Sequence, residues 1–186
     1  MKNRLQLFVD SCLRHKLIYK NIYTNSSCIP KLQNINLNMT LKESLQNKKG
    51  YFKAMVSLEM VSGQKPIAIK AKKSISNWKL RKNATIGAKV TLRNEMMFHF
   101  LDKLIHVVLP RDKEFQPFPC VIESHCDINN STYSFGISDF FLFPELESQY
   151  EKFKFGSGFN IILNSNSGTK KEMIQLLSMY HLPFKK

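Results

Sequence analysis

The stretch from Gly63 to Asn94 concentrates nine cations and contains no carboxylate. The cations are Lys65, Lys70, Lys72, Lys73, Lys79, Arg81, Lys82, Lys89 and Arg93. Positive charges at this density repel one another unless an anion balances them, and a nucleic-acid backbone has the charge spacing to do so. Apolar residues such as Ile67 and Val90 are interleaved with the cations, which favours a folded surface over a disordered arm. The stretch therefore predicts a folded surface that binds a polyanion.

The composition of the whole chain also indicates a polyanion partner. Its 186 residues include 28 lysines and arginines against 14 acids, a formal net charge of +14. An anionic membrane surface attracts the same charges and is the competing partner class. No apolar run approaches the roughly 18 residues that span a bilayer, so we predict no transmembrane role. Of the two partner classes we predict nucleic acid and no membrane. The length suits an N-terminal helix and connector at 1–28 and a single α+β domain at 29–186.

Residues suited to catalysis or metal binding are sparse in this chain. One segment gathers four acids, which are Asp139, Glu145, Glu147 and Glu151. A carboxylate pair there could perform acid–base chemistry, but a solvated strand edge is the favoured interpretation. Cys120, His125 and Cys126 match no common zinc-ligand spacing. We therefore predict no enzymatic activity, no cofactor and no metal.

Period-two alternation predicts the strands that would carry a binding face. In the segment 31–39, apolar residues alternate with Asn34, Asn36 and Asn38. In the segment 85–93, three polar residues face away from the apolar ones; they are Lys89, Thr91 and Arg93. Further strands are predicted at 66–70, 133–137 and 159–163. These strands present amides, hydroxyls and ammonium groups on one face.

Apolar residues at helical spacing predict helices at 5–19, from 40 to about 61, at 95–109 and after Thr169. Capping boxes at 40–43 and 169–172 mark the starts of two of them. Gly63 is placed to stop the second helix. Pro110 is expected to end the third, because a proline disfavours the helical conformation at Leu109.

Together these elements predict an α+β fold, in which helices pack on one face of an antiparallel sheet and leave a polar face for RNA. Amides and hydroxyls both donate and accept hydrogen bonds, so this face could read ribose hydroxyls, phosphates and base edges. An ordinary solvated sheet face, common in antiparallel sheets, is the alternative.

Several segments of the chain resemble one family, that of large-subunit ribosomal protein five, which carries 5S rRNA. They occur in the family's order as IPKLQNINLNM (29–39), SGQKPIAIKAKKSISNWKLR (62–81), IGAKVTLR (86–93), FLDKLIHVVLPRDKEF (100–115), YSFGISDFFLFPE (133–145) and MYHLPF (179–184). The resemblance covers most of the chain from Ile29 onward. It implies a structural protein of the central protuberance rather than an enzyme.

The resemblance also implies which positions contact RNA. Asn38, Gln64 and Thr91 match the family's positions that contact 5S rRNA. The alternation and the basic stretch add Asn36, Lys65, Lys89 and Arg93 to this candidate RNA-binding set. The loop from about 72 to 85 corresponds to the family's loop near peptidyl-site tRNA, which here contains Lys72, Lys73, Trp78, Lys79, Arg81 and Lys82. Large-subunit rRNA, neighbouring central-protuberance proteins and a small-subunit head protein, through an intersubunit bridge, are the other implied partners.

Some positions depart from the family pattern. Thr40 replaces a glycine, and Asn83 begins the turn before the strand at 86–93; an asparagine tolerates the left-handed conformation that such a turn needs. The loop 116–132 is divergent, and it lies in the region assigned to the bridge. Enrichment in asparagine and lysine favours a mitochondrially encoded member, in the mitochondrial matrix, over a bacterial or plastid one. A basic RNA chaperone or ribosome assembly factor of the same fold is the alternative function.

Overall fold

The computed structural model describes residues 3–40, 48–78, 80–113, 116–118, 126–128, 131–149, 151 and 158–185. Its strands are β1 Leu32–Thr40, β2 Ile67–Lys70, β3 Thr85–Leu92, β4 Cys126–Ile128, β5 Thr132–Ile137 and β6 Phe159–Ser165. Its α-helices are α1 Arg4–Phe8, α2 Arg14–Lys20, α3 Lys48–Ser62, α4 Asn94–Lys103, α5 Leu109–Arg111, α6 Pro144–Glu147 and α7 Lys170–Met179. Wider π-helical turns at Val9–Leu13 and Leu104–Val108 join α1 to α2 and α4 to α5.

The six strands form one sheet in the order β2-β3-β1-β6-β5-β4. The pairs β2–β3 and β4–β5 are antiparallel. Backbone hydrogen bonds at the ends of β1, β5 and β6 also fit antiparallel pairing, since Asn166 N donates to Lys31 O and Ser165 N to Ser131 O. The predicted α+β fold with an antiparallel sheet is confirmed, as are the strands predicted at 31–39, 66–70, 85–93, 133–137 and 159–163.

The chain divides into two compact units. The first comprises Met1–Ile35, Leu92–Phe135 and Ile162–Lys186. The second comprises Asn36–Thr91 and Gly136–Ile161. This division into two units does not test the domain boundary predicted near residue 28, which stays a prediction.

The first unit buries the apolar sides of its helices. Helix α1 packs against α4, and Arg4 at its start donates to both carboxylate oxygens of Asp102 at 2.9–3.1 Å. Helix α7 begins with the predicted capping box, in which the Thr169 hydroxyl accepts from Glu172 N and the Glu172 carboxylate accepts from Thr169 N. The core of this unit includes Leu13, Leu101, Leu104, Tyr133, Leu163 and Leu176.

The second unit is built around β1, β3 and helix α3. In β1, Leu37 and Met39 are buried, as the alternation predicts, and in β3 Val90 is buried. Helix α3 packs against the short helix α6 and buries Leu58. The helix start predicted at 40–43 falls partly on residues outside the described ranges, but its predicted stop is confirmed, because Gly63 has a φ of 65° and donates to Glu59 O.

The expectation that Pro110 ends its helix at Leu109 is wrong. The helix continues through the π-helical turn, in which Leu109 N donates to Leu104 O, and ends at Arg111. Pro110 stands in the first turn of the last segment, α5. The wider π-helical turn just before Pro110 gives room for its ring, which in a regular α-helix would clash with the carbonyl of the preceding turn.

Tyr180, at the end of α7, is expected to make the stability of the protein sensitive to alkaline pH. The side chain is 1% exposed, and burial raises its pKa well above the ordinary value near 10; the charge of Asp10 adds to this, and a hydrogen bond with the Leu32 backbone opposes it. A raised pKa means that the tyrosine stabilises the fold fully below about pH 10 and loses this contribution as the pH rises further.

The measurement is the free energy of unfolding of wild type and Tyr180→Phe between about pH 9 and pH 12. Wild type should lose roughly 1 kcal/mol more per pH unit above about pH 10 than the variant. Tyr19→Phe, at a tyrosine that is 89% exposed, is the matched control and should follow wild type. Parallel curves for wild type and Tyr180→Phe would contradict the prediction.

Candidate nucleic-acid interface

A polar strip runs along β1 and β3 of the second unit. It consists of Asn36, Asn38, Lys89 and Thr91. The lysine is exposed and the other three are partly exposed, whereas the intervening residues of both strands are buried. Burial of the apolar face against the unit's core therefore leaves these side chains on the opposite face, as the alternation predicts.

Two members of this polar strip are joined by a direct hydrogen bond. The Thr91 hydroxyl donates to the amide oxygen of Asn36 at 2.8 Å, across 55 residues of sequence. This contact uses the acceptor end of the amide and fixes the orientation of its donor end. Asn36 therefore presents an oriented NH₂ group, which can donate to a phosphate, a ribose hydroxyl or a base edge.

Asn38 offers the complementary group. Its side-chain oxygen is buried and has no hydrogen-bond partner within the described part of the chain. A buried acceptor without a partner costs about 1–3 kcal/mol, so such atoms are rare and call for an explanation. Asn38 as a whole is partly exposed, so rotation of its amide toward the polar face would let a ligand that donates a hydrogen bond remove that cost.

The close approach of β3 to β1 depends on Gly87. A Cβ at this position would collide with the carbonyl oxygen of Met39 and lie 3.0 Å from Cα of Thr40. Only glycine leaves room for the backbone of the neighbouring strand there. The glycine thus helps to place Thr91 and Lys89 of β3 beside the asparagines of β1.

The edge strand β2 extends the face of the polar strip with an unexpected residue. Ile67 pairs directly with Lys89, so the two side chains share one face, and Ile67 is 65% exposed. An aliphatic surface beside an ammonium group suits contact with a ribose or a base. The sequence interpretation missed Ile67, because only the register of β2 on β3 shows which face it occupies.

Gln64 and Lys65 precede β2 in a loop that is tied to helix α3. The Ser62 hydroxyl donates to Leu58 O at 2.6 Å and accepts from Gln64 N at 3.2 Å. Gln64 is partly exposed and Lys65 is exposed. Both predicted residues therefore lie on an anchored turn of the second unit.

The basic arm, residues 71–84, contains most of the loop predicted from about 72 to 85 and is hairpin-like. Ile75 and Leu80 exchange backbone hydrogen bonds at 2.9 and 3.0 Å, and Lys82 N donates to the Ser74 hydroxyl at 2.9 Å. Asn83 adopts a φ of 66°, which confirms its expected left-handed conformation. The exposed cations of the arm are Lys72, Lys73, Arg81 and Lys82. Trp78 ends a 3-10 turn, while its side chain and Lys79 lie outside the described residues.

The first unit contains Arg93, the remaining residue of the predicted RNA-binding set, and a hydrogen bond between two asparagine side chains. Arg93 directly follows β3 and is exposed. The Asn164 NH₂ group of β6 donates to the side-chain oxygen of Asn34 in β1 at 2.6 Å. The asparagines of β6 were the sequence signal for a hydrogen bond of this kind. Only the strand order shows that β6 lies next to β1.

Other kinds of site find no support in the described ranges. No group of three or more metal-ligating side chains occurs there, and Cys120 and His125, which the sequence analysis considered as zinc ligands, lie outside these ranges. Asp139 of the acidic cluster caps a short helical turn by accepting from Phe141 N at 2.9 Å. No helix described by the structure has the length and apolarity needed to cross a bilayer.

Comparison with known proteins covers nearly the whole chain. Residues 25–81 match the family described as "Ribosomal protein L5", and residues 85–184 match the "ribosomal L5P family C-terminus". The chain belongs to the ribosomal protein L5 family. As a member, it is a structural constituent of the large ribosomal subunit and not an enzyme. RNA binding is typical of this family.

Individual relatives match over their full length. "Large ribosomal subunit protein uL5m" of Reclinomonas americana is 41% identical over 185 residues, which is 99% of both chains. "Large ribosomal subunit protein uL5" of Brevibacillus brevis is 38% identical over 186 residues, and the protein of the same name from Clostridium acetobutylicum is 38% identical over 184. The Brevibacillus match covers 100% of both chains. The Clostridium match covers 99% of this chain and 97% of the relative. The resemblance inferred from sequence motifs is thereby confirmed.

Proposed function

We propose that the polar strip of the second unit binds 5S rRNA, within the central protuberance of the large subunit. The observation that carries the proposal is that two amides of the polar strip offer complementary hydrogen-bonding groups, one a donor and the other an acceptor. Asn36 presents a donor held by Thr91, and Asn38 presents a buried acceptor without a partner in the described ranges. A held donor and a neighbouring acceptor on one strand select the shape of an RNA partner, which cations alone do not.

The cations around the polar strip supply the sequence-independent part of the affinity. Lys89 lies within the strip and Lys65 on the adjacent loop, both exposed, and Arg93 follows β3. Each phosphate that a cation neutralises releases a counterion, so binding should weaken steeply with salt. Together these residues form the RNA-binding set, with Gln64 as a further amide.

The basic arm is proposed to approach peptidyl-site tRNA. Its four exposed cations lie on a stabilised projection without acidic residues, which suits a phosphate backbone. The divergent loop 116–132 is proposed to contact neighbouring proteins and a small-subunit head protein, as the family resemblance implies. Most of that loop lies outside the described residues.

The mitochondrial matrix is the proposed location. The similarity to a protein named uL5m and the enrichment in asparagine and lysine support it. Bacterial relatives are nearly as similar, at 38% identity, so composition is the deciding argument. The proposed organisation keeps an N-terminal helix and connector at 1–28 before one family domain.

The test is the affinity of the full chain for a 5S rRNA transcript and for a structured control RNA, across a salt series. The double variant Asn38→Ala with Thr91→Ala should bind 5S rRNA roughly ten- to thirty-fold more weakly, since each lost side-chain hydrogen bond contributes about 1 kcal/mol. Circular dichroism should show an unchanged fold.

A matched control removes the same residue types elsewhere. Thr24→Ala with Asn25→Ala changes two exposed residues of the connector and should leave the affinity unchanged. Unchanged binding by the polar-strip variant would refute this assignment of the site. Equal, weak binding of wild type to both RNAs would instead favour the general RNA chaperone.

A further inference from the structure

Strand β2 is one edge of the six-stranded sheet. It pairs antiparallel with β3 on one side, from Ile67 opposite Lys89 to Lys70 opposite Thr85. On its other side, no backbone partner lies within the described part of the chain. The backbone groups of successive residues in a strand point to opposite sides, so alternate N–H and C=O groups of β2 face outward. Such a row of donors and acceptors is a template on which another extended chain can pair.

The side chains along this edge are accessible to a partner. Ile67 is 65% exposed and Lys70 is exposed, and the two residues between them are partly exposed. Ile67 lies on the face of the polar strip, and Lys70 lies on the opposite face, because side chains alternate along a strand. An added strand would therefore meet an aliphatic side chain on one face of the sheet and an ammonium group on the other.

The charges around β2 are all positive. Lys65 precedes the strand, Lys70 ends it, and Lys72 and Lys73 follow it; all four are exposed. Lysines at a sheet edge discourage pairing with another basic chain, and so with a second copy of this protein, whose net charge is +14. A strand that carries carboxylates is attracted by the same lysines, so charge selects an acidic partner.

We propose that β2 is a docking edge for an extended acidic segment of a neighbouring protein, which adds to the sheet as a further strand. The segment alternates apolar residues with acidic ones. Its apolar residues pack beside Ile67 on one face, and its carboxylates lie near Lys70 on the other. Main-chain hydrogen bonds to β2 supply the affinity, and the alternation of side chains supplies the specificity.

The docking edge is distinct from the proposed RNA-binding site. RNA is proposed to lie over one face of the sheet, whereas an added strand lies in the plane of the sheet beside β2. The docking edge depends on Ile67, Lys70 and the backbone of β2, and none of these belongs to the RNA-binding set. The inference therefore goes beyond the proposed function, and either one can fail without the other.

The experiment measures the affinity of the full chain for a fluorescent peptide of about eight residues that alternates valine with glutamate. Saturable binding is expected, with a dissociation constant below about 1 mM. A peptide that alternates valine with lysine has the opposite charge and should bind at least about tenfold more weakly. Absence of saturable binding of the glutamate peptide would overturn the proposal.

Two methylated peptides test whether the glutamate peptide binds as a strand. One carries N-methyl groups on all its valines and the other on all its glutamates, and both keep the charge. Only one of them loses the N–H donors that face β2, because alternate N–H groups of a strand point to opposite sides. That peptide should bind at least about tenfold more weakly, whereas the other should keep its affinity. Equal affinities of the two would mean that charge alone holds the peptide and would overturn strand addition.

Variants of the protein locate the docking edge. Lys70→Glu should weaken binding of the glutamate peptide roughly three- to tenfold. Lys20→Glu, at an exposed lysine of α2, changes the net charge equally and should not weaken it. Ile67→Asp should also weaken binding, whereas Ile22→Asp, at a fully exposed isoleucine of the first unit, should not. Wild-type affinity of both β2 variants would overturn the proposal.

Two further measurements separate docking from RNA binding. The variant Asn38→Ala with Thr91→Ala should bind the glutamate peptide as wild type does, even though it binds 5S rRNA weakly. Wild type saturated with 5S rRNA should still bind the peptide, because the edge of the sheet stays open. Complete displacement of the peptide by 5S rRNA would assign the edge to the RNA interface and overturn the proposal.

Discussion

Gly87→Ala should destabilise the protein by about 3 kcal/mol, a large part of the stability of an ordinary domain. The added Cβ would collide with the Met39 carbonyl, a backbone atom that cannot turn away. Either β3 moves off β1 or the ladder between them breaks. Both changes would separate Thr91 from Asn36, so the affinity for 5S rRNA should fall together with stability.

Urea unfolding of wild type and variant measures the first effect. Gly136→Ala is the matched control, since it lies in β5 and its Cβ would come 3.2 Å from the side-chain oxygen of Asn160. That side chain can rotate away, so the expected change is within about 1 kcal/mol. Equal effects of the two substitutions on the free energy of unfolding would show that the close approach of the strands at Gly87 does not require a glycine.

Replacing Lys72, Lys73 and Lys82 with glutamine should spare 5S rRNA binding and slow translation. All three are exposed cations of the basic arm, outside the polar strip. If each contacts one phosphate of peptidyl-site tRNA, the dependence of tRNA affinity on salt should become shallower by about one per lysine on logarithmic axes. The backbone bonds of the arm do not use these side chains, so its fold should persist.

Reconstituted ribosomes provide the measurement, as the rate of translation and the affinity for peptidyl-site tRNA over a salt series. A control variant replaces Lys20, Lys170 and Lys171, three exposed lysines on α2 and α7, and removes the same charge. Translation at the wild-type rate in the basic-arm variant would argue against contact with tRNA. Weakened 5S rRNA binding would mean that the arm belongs to the 5S interface.

Local pattern was sufficient to predict much of the fold. In β1 and β3, alternation identified both the strands and the faces that Asn36, Asn38 and Thr91 occupy. Gly63 and Asn83 adopt the positive φ values expected of them. These features depend on neighbours in sequence, because side-chain period and backbone preference are local properties.

Local pattern was not sufficient where a residue type is compatible with two structures, such as a proline that can end a helical segment or begin one. Pro110 was expected to stop its helix, but the preceding π-helical turn lets it begin a new segment that reaches Arg111. Ile67 reads as an ordinary strand residue, although its register with Lys89 leaves it 65% exposed on the polar face. For Pro110 a change from α-helical to π-helical hydrogen bonding decides the result, and for Ile67 the pairing register of β2 on β3 decides it; composition encodes neither.

The sequence by itself determined the chemistry of this protein: its charge, its family, the strands and the polar residues available to bind RNA. Only the tertiary structure decided which of these residues act together. The Thr91–Asn36 bond joins residues 55 apart, and the Arg4–Asp102 ion pair joins residues 98 apart. Such contacts depend on strand order and on how distant segments pack, and a local pattern carries no information about either.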